Sequence, residues 1–272
     1  MITEDPGFHT RIIREVLGWA GQIDLDKPPP FMGQLIHRRL REITGIKDPY
    51  RAAKEQANNM ALNLFPELKA KIKTAADPLD LAARLAIAGN ILDMAVKADL
   101  TLSDLRDSVN EALEEPFTGE QEIFRRAVAG ARRILYLADN AGEIVFDRLL
   151  IEELSPARVT LAVRGFPVLN DATMADARAA GLHEIVKIIA NGSDAPGTIL
   201  EDCNENFCKH FHDADLILAK GQGNFETLSD RADNIFFLFK VKCPVIANHT
   251  GLPVGAQVVT RPATGSSKED ES

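Results

Sequence analysis

Residues 134–147 read ILYLADNAGEIVFD, and this stretch decides the fold because a strand passes directly into a helix within it. The residues from Ile134 onwards are mostly apolar, as in a strand that is covered on both faces. Asp139 and Asn140 stand where that strand ends, and a helical pattern begins near Glu143. A carboxylate and an amide side by side at the end of a buried strand predict a polar site at that position.

The same alternation of short apolar segments and helices recurs through the second half of the chain. A helix is predicted at QEIFRRAVAGARR, and later helices at ATMADARAAG and TILEDCNENFCKHFHDA. The apolar segments between and after them are RVTLAVRG, EIVKIIANG, DLILAKGQG and NIFFLF, and PVIANHTGLPVGAQVVT reads as a turn-rich closing segment. This order predicts an α/β fold, with βαβ units, a mainly parallel sheet and helices on both faces.

The first half of the chain has helical periodicity only. Two of its segments open with Asp-Pro, which suits a helix cap followed by proline in the first turn, and Leu-Ser-Asp at 102–104 is a third candidate cap. No strand is predicted before Pro116. We therefore predict an all-α N-terminal domain at residues 1–117, an α/β metal-binding catalytic domain at 118–260, and a disordered polar tail at 261–272.

Composition narrows the classes of function. The formal net charge of −9 disfavours general binding to nucleic acid or to an anionic membrane, although local groups can still bind a small anion. Three cysteines are too few for a disulfide scaffold, the N-terminus is acidic and polar, and no apolar stretch approaches the length of a membrane span. We expect a cytoplasmic protein with a small-molecule ligand.

Polar residues follow several of the predicted strands. Asp139 and Asn140 end the first, Asn170 and Asp171 follow the second, and Lys220 begins the polar segment KGQGN. Ligands gather at the carboxyl ends of parallel strands. Two carboxylates and an amide oxygen suit magnesium or manganese, with nickel or cobalt also possible, and a lysine suits a phosphoryl oxygen.

Each of these features also has a purely structural interpretation. Asp139 and Asn140 are common helix-capping residue types, and Asp171 fits a turn that caps the next helix. Asn90 and Asp93 are spaced i, i+3 on an otherwise apolar helix, so they share one face. That face predicts either a hydrogen bond between helices or a place over the metal and substrate site.

Six segments together resemble the family catalogued as domain of unknown function 89, the metal-dependent damage-control phosphatases, and most resemble its stand-alone prokaryotic branch. They stand in family order and cover roughly residues 50 to 259. DNAGE and KGQGNFE in combination are the specific part of the match. The six segments are AGNILDM, LADNAGEIVFD, VRGFPVLNDATMADA, PGTILED, ADLILAKGQGNFETL and KCPVIANHTGLPVG.

The resemblance implies a three-layer α/β/α Rossmann-like domain with a helical N-terminal domain packed over its active site. It implies a phosphomonoester hydrolase that uses magnesium, manganese, cobalt or nickel and acts on small phosphorylated metabolites. The implied metal ligands are Asp139, Asn140 and Asp171. For catalysis, we expect Lys220 to offset charge in the transition state, and the nucleophile to be either a metal-activated water or the Asp139 carboxylate. The implied substrate and phosphate contacts are Lys220 with the 222–226 loop (Gln222, Asn224, Glu226), and Asn90, Asp93, Glu143 and Arg164.

Some alternatives remain at this point. A carboxyl methyltransferase using S-adenosylmethionine is one, since that activity has been ascribed to a eukaryotic branch, and a non-catalytic protein that binds phosphorylated metabolites is another. CNENFCKHFHD invites a zinc site, but on a helix its cysteines and histidines would scatter around the cylinder. Prokaryotic relatives often carry an N-terminal Cys-x-x-Cys, which residues 1–50 lack. The substrate and the oligomeric state are not fixed by the sequence.

Overall fold

A computed structural model describes residues 5–24, 26–92, 101–231 and 234–262, and the strands within them form one seven-stranded sheet. Its strands are β1 Phe117–Gly119, β2 Ile134–Leu137, β3 Val159–Val163, β4 Lys187–Ala190, β5 Leu216–Lys220, β6 Ile235–Lys240 and β7 Gln257–Thr260. The spatial order is β1-β7-β6-β5-β2-β3-β4, and every neighbouring pair is parallel except β6 with β7. The predicted α/β class with a mainly parallel sheet is confirmed.

Eleven α-helices lie in the described part of the chain, five of them before β1. Three pairs of consecutive strands are parallel neighbours (β2 with β3, β3 with β4, and β5 with β6), and a helix lies in each of these connections. The helices are α1 Pro6–Ala20, α2 Pro29–Thr44, α3 Arg51–Thr74, α4 Pro78–Ala88, α5 Leu102–Glu114, α6 Gln121–Gly130, α7 Glu143–Glu153, α8 Met174–Ala179, α9 Glu205–Asp213, α10 Gly221–Leu228 and α11 Pro244–Thr250.

Helices α4 and α5 in the first half begin with side-chain caps, whereas α3, which follows the other Asp-Pro segment, begins at Arg51 without one. Asp77 caps α4 by accepting a hydrogen bond from the Asp80 backbone N–H, with proline next in the chain, as predicted. The cap of α5 is Thr101 rather than Leu-Ser-Asp itself. Thr101 and Asp104 exchange side-chain and backbone hydrogen bonds in a capping box, so the helix begins at Leu102.

The sheet has a hydrophobic core on each face, because alternate residues of a strand point in opposite directions. Along β2, Ile134 and Tyr136 pack into the core that contains buried residues of α3 to α8. Leu135 and Leu137 pack on the other side, with buried residues of α9 to α11. The N-terminal helices α3, α4 and α5 therefore share one core with α6 and α7. The division at residue 117 remains a prediction.

Three local details differ from the sequence prediction. β1 begins at Phe117, at the predicted domain boundary, and β7 lies within the segment that reads as turns. Both strands are very short, so neither gives a periodic signal. The segment after Lys220 is the start of α10 rather than a loop. Residues 263–272 lie outside the described part of the chain, and no described helix is long and apolar enough to cross a membrane.

Candidate functional site

Asp139, Asn140 and Asp171 meet at the carboxyl edge of the sheet. Asn140 and Asp171 pair as an isolated antiparallel bridge, and the Ala172 backbone N–H donates to the Asp139 carbonyl over 2.7 Å. The three side chains are 7%, 7% and 3% exposed, respectively. Backbone pairing thus holds two carboxylates and one amide together in a buried position at the ends of β2 and β3.

Helix capping does not account for these residues. The N-cap of α7 is Gly142, and no side chain caps that helix. α8 is capped by Thr173, whose side chain and backbone bond with Asp176 at 2.8 Å. Neither the Asp139-Asn140 pair nor Asp171 is therefore used as a cap, and the structural interpretation of the sequence pattern fails at both places.

The Asp139 carboxylate has little positive charge close to it. The Asn140 amide nitrogen donates to it over 3.0 Å, and the nearest guanidinium nitrogen of Arg164 lies 3.9 Å away. Burial, together with the negative charges of the nearby Glu143 and Asp171 carboxylates, raises the pKa of Asp139 to about 8. A cation bound next to Asp139 would therefore strongly stabilise its ionised form.

Gly221 gives the Asp139 carboxylate the room it occupies. Gly221 directly follows β5, next to β2 in the sheet, and has a φ of +79°. A Cβ atom at this position would overlap the Asp139 carboxyl group. Only glycine combines this backbone conformation with this close approach.

Arg164, at the end of β3, is a buried cation with a free donor. Its Nε donates to Asp171 over 2.7 Å, and its Nη1 lies 3.3 Å from both Thr198 Oγ1 and Asn224 Oδ1. Its Nη2 has no hydrogen-bond partner among the described residues, although it is buried. Burial raises the pKa of Asp171, and the charge of Arg164 opposes that rise. An unsatisfied guanidinium N–H beside the carboxylates indicates an anionic ligand.

Lys220 is fully buried beneath this site. Its ammonium donates to the Ala86 carbonyl at 2.8 Å, to Glu143 Oε1 at 2.6 Å and to Asp147 Oδ1 at 2.7 Å. Burial works against the charged form, but the Asp147 and Glu143 carboxylates hold the pKa of Lys220 above its ordinary value. An ammonium has three donors, and all three are used here.

Asp147 and Tyr136 also belong to this buried network, and the sequence analysis did not single out either residue. The Tyr136 hydroxyl donates to Asp147 Oδ1 over 2.8 Å. Burial raises the pKa of Asp147 to about 6, against the opposing charge of Lys220. The available signal was spacing, since Asp147 lies four residues after Glu143 on α7 and therefore shares its face.

The structure describes all but one of the other residues that were predicted to contact substrate or phosphate. Asn90, just beyond α4, places its amide nitrogen 3.4 Å from Glu143 Oε2, and Asn224 anchors Arg164 while its own amide nitrogen donates to the Lys220 carbonyl over 2.7 Å. Gln222 and Glu226 bond to each other at 2.7 Å on α10. Asp93 lies outside the described residues.

Lys242 is a cation at the site that the sequence analysis did not single out. Its positive charge opposes the rise in the pKa of Asp139 and of Asp171. It is exposed, and no ion pair to its side chain occurs in the described residues. With Asn90 it lines a cavity of about 360 Å³. The signal was its position in KCPVIA, one of the matched family segments.

The zinc interpretation gains no support from the structure. His210 points its Nε2 at the Lys187 ammonium, 2.9 Å away, and burial raises the pKa of Cys203 to about 12. His210 and Lys187 line a separate cavity of about 530 Å³ at the amino ends of β2 to β4, away from Asp139. Within the described ranges, no three histidine, cysteine, aspartate or glutamate side chains form a metal-binding group.

Comparison with known proteins gives the family. The damage-control phosphatase ARMT1-like domain matches residues 2–258. A damage-control phosphatase of Pyrococcus horikoshii is 39% identical over 239 residues, 86% of this chain and 81% of that protein. A damage-control phosphatase of Archaeoglobus fulgidus is 33% identical over 95% of this chain and 91% of its own length. An uncharacterised protein of Methanocaldococcus jannaschii is 35% identical over 96% and 89%.

The fold agrees with these matches. The crystal structure of a DUF89 family protein from Pyrococcus horikoshii superposes with a TM-score of 0.87 at 34% sequence identity. The superposition covers 96% of this chain and 92% of that one. The resemblance seen in the six sequence segments is therefore confirmed over nearly the whole chain, which belongs to the damage-control phosphatase ARMT1-like family.

Proposed function

We propose that this protein is a divalent-metal-dependent phosphatase that hydrolyses small phosphorylated metabolites. The observation that carries the proposal is the buried Asp139 carboxylate, which lies beside Asp171 with no cation in direct contact. Two relatives bear the name damage-control phosphatase, which supports hydrolysis of phosphate esters as the reaction class.

The donor set at this edge of the sheet fits a hard divalent cation. Asp139, Asn140 and Asp171 would hold it, with magnesium, manganese, cobalt or nickel as candidates. Asn140 directs its amide nitrogen at Asp139 and Glu143, so the amide oxygen is turned elsewhere and is available to a cation. When bound, such an ion polarises a phosphoryl oxygen and lowers the pKa of water.

Two cations of the chain are suited to the phosphate. Arg164 offers a buried Nη2 that makes no hydrogen bond in the described chain and lies 3.9 Å from Asp139 Oδ1, and Lys242 offers an exposed ammonium. Both would offset the negative charge that phosphoryl transfer distributes over the phosphate oxygens. Lys220 acts differently in this arrangement, because it holds Glu143 in place and has no donor left for substrate.

The attacking group is either water or the Asp139 carboxylate. Attack by Asp139 on phosphorus would form an aspartyl phosphate and release the alcohol, and water attacking that phosphorus would then release phosphate and restore the carboxylate. Attack by water would release phosphate with no covalent intermediate. Single-turnover reactions quenched with hydroxylamine, which converts an acyl phosphate to a hydroxamate, followed by mass spectrometry of the peptide that contains Asp139, separate the two.

The test of the proposed function is phosphate release from a panel of phosphomonoesters, with each of the four metals supplied to chelator-treated protein. Asp139→Ala and Asp171→Ala should each lose at least about a thousandfold in kcat if both residues hold the ion. Asp213→Ala, at an exposed residue remote from the site, is the matched control and should keep full activity.

Two results would contradict the proposal. Metal-dependent release that survives in both variants would remove the assigned ligands. No release from any ester with any metal would favour the methyltransferase or the non-catalytic binding protein, and calorimetric titration with S-adenosylmethionine would then decide between those two.

A further inference from the structure

Asn58, a buried residue of α3, is hydrogen-bonded to both of the segments that carry the candidate metal ligands. Its side-chain oxygen accepts from the Gly142 backbone N–H over 2.7 Å, two residues after Asn140. Its side-chain nitrogen donates to Asp176 Oδ1 over 3.0 Å, five residues after Asp171. Asn58 is 3% exposed. One side chain of an N-terminal helix thus joins the segment after β2 to the segment after β3.

The Asp176 carboxylate is held in place by its other partners. Its Oδ2 accepts from the Thr173 backbone N–H and from the Thr173 hydroxyl, both over 2.8 Å, and lies 2.9 Å from the Lys54 ammonium. Because Oδ2 takes these donors, Oδ1 is left for Asn58. The orientation of the Asn58 amide is fixed as well, since a backbone N–H requires its oxygen and a carboxylate requires its nitrogen.

Helix α3 also packs directly against the backbone of the first segment. Gly142 has a φ of +76°, and a Cβ atom at this position would lie 2.9 Å from the Ala57 Cβ. Loss of the Asn58 amide would leave the Gly142 N–H as a buried donor without its acceptor. The position of α3 therefore bears on the backbone between Asn140 and Glu143.

The two segments are joined a first time through their own backbones. The Ala141 N–H donates to the Asn170 carbonyl over 2.8 Å, and the Ala172 N–H donates to the Asp139 carbonyl over 2.7 Å. The Asn58 bridge joins them a second time, from the side of the N-terminal helices. Two separate attachments fix the angle between two segments as well as their distance, and ligand geometry depends on both.

We propose that Asn58 is a positioning residue of the metal site, which sets the spacing of Asn140 and Asp171 and thereby makes divalent-cation affinity depend on the N-terminal helices. The inference rests on the proposed function for the identity of the site. Asn58 itself does not bind the ion, because its oxygen and nitrogen are used by Gly142 and Asp176. Loss of a supporting hydrogen bond of this kind weakens metal binding by about ten- to a hundredfold.

The first test is calorimetric titration of chelator-treated protein with Mn²⁺. Asn58→Leu keeps the shape of the side chain and removes both hydrogen bonds, so Mn²⁺ binding should weaken about ten- to a hundredfold. Leu68→Ala is the matched control, because Leu68 is buried in the core on the same helix, about 15 Å from Asn58 by helical rise. It should lower the urea midpoint and leave Mn²⁺ affinity unchanged.

Exchange of the two groups of the bridge tests its chemistry. Asn58→Asp alone opposes two carboxylates, and Asp176→Asn alone opposes two amides, so each should weaken Mn²⁺ binding. The double variant restores one carboxylate and one amide in reversed positions, with an acceptor still facing the Gly142 N–H, and should recover most of the affinity. If charge alone mattered, Asn58→Asp would bind Mn²⁺ more tightly than wild type, which would contradict the proposal.

Hydrogen–deuterium exchange of metal-free protein gives a readout that does not need the ion. Asn58→Leu should raise exchange selectively in peptides that cover 139–146 and 168–176, whereas Leu68→Ala should not. Equal Mn²⁺ affinity in wild type and Asn58→Leu would overturn the positioning role and leave the metal site standing. Absence of Mn²⁺ binding to wild-type protein would contradict the proposed function, and the exchange data would then decide by themselves whether Asn58 holds the two segments.

Discussion

Two buried acidic groups lie next to each other in this protein and differ in how their charge is compensated. Asp147 is 0% exposed, yet burial raises its pKa only to about 6, because the Lys220 ammonium lies 2.7 Å away. Asp139 is 7% exposed, and its pKa rises to about 8 through burial and two acidic neighbours. The more exposed acid is the more perturbed one.

The difference shows that burial alone does not identify the functional carboxylate. The Lys220 ammonium donates to Glu143 and to Asp147, and the Tyr136 hydroxyl donates to Asp147, so the cation that compensates these carboxylates comes from the chain itself. Asp147 Oδ2 nevertheless has no hydrogen-bond partner among the described residues. Asp139 has only an amide in direct contact. Its nearest cationic nitrogen is Arg164 Nη2, 3.9 Å away, and the proposed metal ion would supply the closer positive charge that a buried carboxylate needs.

The largest expected effect on stability comes from removing the Lys220 ammonium from its buried network. Lys220→Met leaves two buried carboxylates without their cation and should lower the free energy of unfolding by about 3–5 kcal/mol. Lys242→Met, the same change at an exposed lysine, should alter it by less than about 0.5 kcal/mol. Urea unfolding of both variants measures the contrast. Equal stability of the two would show that Lys220 is not held as described.

The second-largest effect is expected for Gly221→Ala, which changes the residue packed against the Asp139 carboxylate. The new methyl group overlaps Asp139, and the backbone φ is positive, so we expect a loss of about 2–3 kcal/mol in stability and of metal affinity. Gly251→Ala is the control, because Gly251 has a φ of +70° but open space around it. It should lose about 1 kcal/mol and keep metal affinity. Metal titration of both separates backbone strain from displacement of Asp139.

Tyr136→Phe should give a pH-dependent loss of stability. The folded pKa of Asp147 is above its ordinary value near 3.8, so folded protein binds more protons than unfolded protein, and the free energy of unfolding falls as pH rises from about 4 to about 6. The Tyr136 hydroxyl lowers this pKa, and its removal extends the fall to higher pH. We expect a deficit of about 1–2 kcal/mol at pH 8 and a smaller one at pH 5, by urea unfolding. A deficit that is larger at pH 5 would contradict the assignment.

The smallest expected effect concerns phosphate binding. Lys242→Met should weaken competitive inhibition by inorganic phosphate roughly fivefold, because an exposed ammonium contributes modestly to anion affinity. Lys240→Met is the matched control, since Lys240 is paired with Glu115 and should leave inhibition unchanged. Inhibition constants at fixed ionic strength give the answer, and an equal effect of the two changes would argue against a specific role for Lys242.

The site residues that could be predicted best from the sequence are those that follow the carboxyl end of a strand. Asp139, Asn140 and Asp171 stand at such ends, and a parallel sheet brings them to one edge. The roles of Lys220 and Lys242 depend on which strands are neighbours. Lys220 contacts α7 because β5 lies beside β2 in the sheet. The order of strands in the sheet cannot be read from the linear sequence.

The position of the Gln257 side chain could not be predicted from the sequence for a related reason. Gln257 lies on a four-residue strand that pairs antiparallel with β6 and parallel with β1, which is itself three residues long. Segments this short carry no periodicity. The orientation of the Gln257 amide depends on Ala112 and Glu115, about 140 residues earlier in the chain.

The central claim is that Asp139 is uncompensated because it binds a metal ion, whereas Asp147 is compensated within the chain. Calorimetric titration of chelator-treated protein with Mn²⁺ tests this most directly, in wild type, Asp139→Asn and Asp147→Asn, each verified as folded by circular dichroism. We predict binding to wild type and Asp147→Asn and at least about a hundredfold weaker binding to Asp139→Asn. Equal affinity in Asp139→Asn and wild type would contradict the account.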